Sequence, residues 1–140
     1  MSYATTSDMI SRFGEDEVVK LSDRKFTGVI DIDVLNGALA EADAEIDPYL
    51  APHYLLPLAT IPRILTGYAC DIARYRLCGA GITETEQIRT RYADAVKFLT
   101  AVAHGKLSLG LDTANHTAQT ANTVQFATTT GRVFDRSSRG

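Results

Sequence analysis

Ile88, Tyr92, Ala95, Leu99 and Val102 step along the chain by four, three, four and three residues, the repeat that places side chains on one face of an α-helix. No other segment constrains the fold as strongly, because an apolar stripe of this kind has to be buried against other helices or a sheet. Thr83 with Glu86 three residues later forms a capping-box pattern ahead of the stripe, and His104-Gly105 marks its end, so the spacing predicts a helix over 84–103.

The same periodicity recurs upstream. Leu65, Tyr68, Ala69, Ile72, Tyr75 and Leu77 form a second stripe, with Pro62 suited to the first helical position and Gly79-Ala80-Gly81 breaking the pattern. Leu35, Leu39, Ala42, Ile46 and Tyr49 form a third, with Glu41, Asp43 and Glu45 on other faces and Asp31 or Asp33 available as the cap. Pro48 lies inside this third pattern, where it lacks a backbone donor and crowds the preceding turn, and predicts a kink or an early end near Asp47. A short helix capped by Thr6 or Ser7 should stop at Gly14, followed by a helical turn over 15–21 and a loop across Ser22-Asp23-Arg24-Lys25-Phe26-Thr27-Gly28.

After Leu111 the composition changes. From Asp112 to Gly131 there is no Lys or Arg, and Thr recurs among Ala, Asn and Gln. That segment has too little apolar area for its own core, yet Val124 and Phe126 alternate as in a strand, and Arg132, Val133, Phe134 and Arg136 close the chain with a basic, aromatic tail. The expected fold is therefore mainly α: a small helical bundle over 1–111 with an extended C-terminal docking arm over 112–140 that adds a β-strand or hairpin on assembly.

Chemistry is mostly excluded rather than indicated. His53, His104 and His116 are dispersed and form no metal-ligand spacing with Cys70 or Cys78, so neither a metal nor a cofactor is expected, and no catalytic grouping is apparent. Cys70 and Cys78 stand eight apart on one predicted helix, about 12 Å along its axis, too far for a disulfide. Asp16, Asp23, Asp31 and Asp33 read as caps and loop charges rather than a cation site. With 14 basic against 17 acidic residues and a net charge of −3, the chain has no field that would gather it on nucleic acid or an anionic membrane. No apolar run reaches the roughly 20 residues needed to span a bilayer. Polar residues interrupt the second stripe at Asp71, Arg74 and Arg76, either as an Asp71–Arg74 pair within the helix or as contacts to a neighbouring subunit.

Tyr3-Ala4-Thr5, Ile10-Ser11-Arg12-Phe13-Gly14-Glu15, Leu21-Ser22-Asp23-Arg24, Ala42 to Asp47 with Tyr49-Leu50, Tyr54 to Leu58 and Cys70 to Leu77, taken in order, resemble the small phage proteins of the Mu-like connector family. The resemblance covers most of residues 3–111; Pro48 and Pro52-His53 depart from the family's usual pattern. It implies a structural virion protein made in the bacterial host cytoplasm and placed at the head-tail junction. There it would serve as a head-completion adaptor in a ring, commonly twelvefold, beneath the portal protein. It implies further that the ring meets a tail completion or terminator protein, and that genomic DNA passes through its channel without sequence-specific binding. A tail-side completion role is the nearer alternative. A small helical DNA-binding regulator using the helix pair around Gly79-Ala80-Gly81 is the more distant one, opposed by the acids Glu84 and Glu86 at the start of the second helix of that pair.

Overall fold

The computed structural model describes residues 2–79 and 82–111, and among these it contains five helices and no strand: α1 (Thr6–Phe13), α2 (Glu15–Ser22), α3 (Ile32–Leu50), α4 (Arg63–Leu77) and α5 (Glu86–Ala103). The mainly helical bundle expected from the three stripes is what forms. The strand expected near Val124 and Phe126, and the whole arm over 112–140, lie outside the described residues.

Helices α3, α4 and α5 pack against one another, and the short α1–α2 pair lies across α4 and α3. Leu35, Ile46, Leu50, Leu65, Ile72 and Leu99 are completely withdrawn from solvent. Each such side chain contributes about 1.5–3 kcal/mol on leaving water. Met9 of α1 and Val18 and Leu21 of α2 join the same core, so the amino-terminal pair is part of the fold and not an appendage.

Several helix boundaries differ from the expected ones for identifiable reasons. Thr5, not Thr6 or Ser7, caps α1, because its hydroxyl accepts from the Asp8 N–H while the Asp8 carboxylate accepts from the Thr5 N–H, closing a capping box. Thr85 caps α5 by accepting from the Ile88 N–H, which starts that helix at Glu86 rather than at 84; Thr83 and Glu86 form no box. Pro62 is the residue before α4 rather than its first helical residue. Residues 15–22 make a full helix, entered through Gly14 at φ +91°, a conformation that suits glycine at the corner between α1 and α2.

Pro48 does not end α3 near Asp47: the helix continues to Leu50. Pro48 and Ala44 are both exposed, so the Ala44 carbonyl that loses its partner faces water, while Ile46 and Leu50 on the opposite side are fully buried and hold the last turn to the core.

The segment before α1 is stitched to two distant helices. The Tyr3 N–H donates to Asp43 at 2.9 Å, its hydroxyl donates to Asp47 at 2.5 Å, and its carbonyl accepts from the Thr66 hydroxyl at 2.8 Å. Burial, reinforced by Asp47, pushes the Tyr3 hydroxyl well above its ordinary range. Beyond the C-terminus of α3, the loop from Ala51 to Pro62 is held by His53 Nε2, 3.0 Å from the Ala103 carbonyl, and by the Tyr54 hydroxyl, which accepts from the Leu109 N–H at 2.8 Å. Leu109 is thereby drawn into the core, and Leu107 is left exposed.

Candidate functional site

Helix α4 carries the three polar residues singled out by the sequence, and they fall into different environments. Asp71, only 3% exposed, accepts from Arg12 at 3.2 Å through Nε and 2.9 Å through Nη2, with Arg91 of α5 at 3.8 Å. Arg74 is buried; its Nε lies 2.7 Å from a Glu17 carboxylate oxygen of α2, though out of line for a hydrogen bond, and its guanidinium sits 4.5 Å from the centre of the Phe13 ring. The expected Asp71–Arg74 pair therefore does not form. Each residue instead takes a partner from a different helix, because both lie on the buried side of α4, facing α1, α2 and α5.

Arg76 points outward, with 41% of its side chain exposed. It donates to Glu45 at 2.6 Å, and the other Glu45 oxygen accepts from the Tyr92 hydroxyl at 2.7 Å. Tyr75 stacks on Tyr92 with ring centres 4.0 Å apart. The Glu45 carboxylate raises the Arg76 pKa, and burial followed by the Glu45 bond pushes the Tyr92 hydroxyl up to about 12. Of the three, Arg76 is the one available to another molecule. Asp71 and Arg74 carry their charges inside the chain.

Among the described residues no group of three His, Cys, Asp or Glu is arranged to hold a metal ion. Asp31 spends its carboxylate on the Asp33 and Val34 N–H groups at the start of α3, and Asp23 on the loop that follows α2. Burial raises the thiol of Cys70 to about 12 and that of Cys78 above its usual range, so neither is poised as a nucleophile. No helix among the described residues is long and apolar enough to cross a membrane.

Phe26 is 93% exposed, Val29 62% and Ile32 49%, all at the junction of α2 and α3; among the described residues Leu55, Ile64 and Leu107 are the other large apolar side chains in water. Sequence reading passed over Phe26, since an aromatic in a polar loop carries no periodicity. The available signal was Asp23 four and five residues ahead of Thr27 and Gly28, a carboxylate in reach of two amides. The arm residues Val124, Phe126, Arg132, Val133, Phe134 and Arg136 lie outside the described residues.

An open depression of about 480 Å³ runs between the amino-terminal segment and α3, lined by Ala4, Thr6, Asn36, Leu39, Ala40 and Asp43 among others. Another, of about 330 Å³, lies between α1 and α4 beside Arg12, Arg63 and Cys70. At Gly67, on its wall, a Cβ would come within 3.1 Å of Arg12 Nη1, so the absence of a side chain there admits the guanidinium to Asp71.

Comparison with known proteins agrees with the resemblance read from the residues. The chain is 34% identical over 120 residues to the Mu-like prophage FluMu protein gp36 of Haemophilus influenzae, covering 86% of this chain and 84% of that protein. It is 32% identical over 141 residues to Gene product J of Escherichia phage Mu, covering 100% and 99% of the two chains. The family described as Bacteriophage Mu, Gp36 matches residues 3–128, which takes in all five helices. The chain therefore belongs to the Bacteriophage Mu Gp36 family of Mu-like phage proteins.

Proposed function

We propose that this phage protein is a structural component of the virion, a head-completion adaptor that forms a ring beneath the portal protein and joins the capsid to the tail. Its work is assembly, with no catalytic step. The observation that carries the reading is the ordered resemblance to the Mu-like connector proteins across residues 3–111, on a small rigid bundle whose large exposed apolar residues gather at its loops. Adaptor rings need this combination: a core that does not deform, and contact residues outside it.

In this reading the copies meet head to tail, probed at the surface residue Arg76, and close at the portal's symmetry, expected to be twelvefold. Genomic DNA passes through the channel without being read, and the acidic balance of the chain keeps the lumen from retaining it. The arm over 112–140 docks on the portal or on an adjacent copy, and a tail completion or terminator protein covers the other side of the ring.

The experiment is co-sedimentation of the purified protein with tailless, portal-bearing heads, using the full chain and a version ending at Leu111. Sedimentation of the full chain alone supports an adaptor docked by its arm. If neither version sediments with heads and the full chain sediments with isolated tails, the protein acts on the tail side.

A further inference from the structure

The loop between α2 and α3 is built to hold an aromatic ring out in water. The Asp23 carboxylate accepts from the Thr27 N–H at 2.9 Å, the Thr27 hydroxyl at 3.0 Å and the Gly28 N–H at 2.6 Å, closing the loop on itself. The buried Ser22 hydroxyl accepts from the Asp31 N–H at 3.1 Å and ties the two ends together. Phe26 sits at the tip with φ +57°, a left-handed conformation that bulky residues seldom adopt and that costs free energy. An organised loop that keeps a strained, 93% exposed phenylalanine away from its own core has the form of a preorganised anchor. Arg24 and Lys25, both exposed, stand beside it.

We propose that Phe26 of one copy of this chain inserts into the groove between the amino-terminal segment and α3 of a second copy, so that copies join head to tail. The groove, at about 480 Å³, has a floor of Ala4, Leu39 and Ala40 on which a phenyl ring can lie. Its rim is acidic: Asp43 lines it, and the exposed Glu41 stands next in sequence to its lining residue Ala40. Arg24 and Lys25 supply the opposite charge, beside an Asp23 carboxylate already taken up by its own loop. Phe26, standing in water, does not occupy the groove of its own copy, so the groove it fills belongs to another molecule. Anchor and groove are different surfaces, and such a contact repeats from copy to copy. This inference rests on the ring reading, for which it names the contact.

Two exposed substitutions test it by analytical ultracentrifugation at millimolar protein. Phe26→Asp removes the anchor and Ala40→Trp fills the groove; circular dichroism and thermal melting confirm that both fold. The wild type is expected to form species larger than dimers, each variant to associate roughly tenfold or more weakly, and their equimolar mixture to form heterodimers and nothing larger, since one complete contact remains. A wild type that stays monomeric or stops at a two-fold dimer, or variants that associate as the wild type does, overturns the proposal. The head-binding assay separates the two readings. If Phe26→Asp sediments with heads in the wild-type copy number, the anchor is wrong and the adaptor stands. If the wild type self-associates through Phe26 yet ignores heads, the adaptor is wrong and the anchor stands.

Discussion

Asp71 and Asp23 are the same side chain put to opposite uses. Asp71 is withdrawn from water and draws Arg12 of α1 and Arg91 of α5 onto α4, so three helices depend on one carboxylate. Asp23 stands at the surface and binds only its own loop, through Thr27 and Gly28. A buried carboxylate without its cations is a large cost, whereas one in water can be rehydrated almost freely. Damage at Asp71 should therefore be seen in the fold, and damage at Asp23 in what the surface can grip.

The largest effect is expected at Arg12. Arg12→Ala leaves Asp71 with Arg91 alone at 3.8 Å, and should lower the unfolding free energy by about 3 kcal/mol in urea titrations, towards the lower end for a broken buried pair because Arg91 remains. A loss below about 1 kcal/mol would mean that Asp71 is less dependent on Arg12 than the geometry requires. The neighbouring Cys70 reports the same region: its thiol, pushed up to about 12 by burial, should resist alkylation in the folded protein and become reactive at a lower urea concentration in Arg12→Ala than in the wild type, while partly exposed Cys78 reacts in both.

Glu45→Ala comes next. It strips partners from Arg76 and Tyr92, but Arg76 is well exposed and can turn to water, so the expected loss is about 1 kcal/mol. Asp23→Ala should leave the thermal midpoint within the spread of repeat measurements and still release the loop, seen as loss of slow amide exchange at Thr27 and Gly28.

The pH dependence of that loop follows from the same bonds. The Thr27 N–H foremost, with the Gly28 N–H and the Thr27 hydroxyl, holds the Asp23 pKa below its ordinary 3.8. The unfolded loop therefore binds a proton first. Its ordering is fully present well above 3.8 and is lost as pH falls through the lowered folded value. Amide shifts of Thr27 and Gly28 should stay constant from neutrality down to that range and then move together, and an early drift of either would break the contrast with the core.

The three long helices were legible in the sequence because burial of a whole face leaves a repeat that no single residue can disguise. The ends were less so. Thr83 and Thr85 are both plausible caps, and only the distance to the Ile88 amide decides between them. Pro48 misled because the rule against proline assumes a carbonyl with nowhere to turn, and here Ala44 faces water. The partners of Asp71 and Arg74 were hidden for a deeper reason: spacing along one helix says which charges lie near each other, but not which helices will pass overhead. Arg12 and Glu17 lie in elements too short to show a stripe, so nothing in their spacing pointed at α4. Phe26 was hidden by its exposure, since pattern reading seeks aromatics that repeat and this one stands alone.

The stitching of Tyr3 has a consequence for how the chain is made. Its three bonds reach Asp43, Asp47 and Thr66, so Tyr3 cannot settle until more than sixty later residues have been made. Until Thr66 emerges, Met9, Val18 and Leu21 have no complete core to enter. The segment before α1 is thus among the last parts to find its place, and a nascent chain stalled before α4 would present the apolar faces of α1 and α2 to whatever chaperone is waiting.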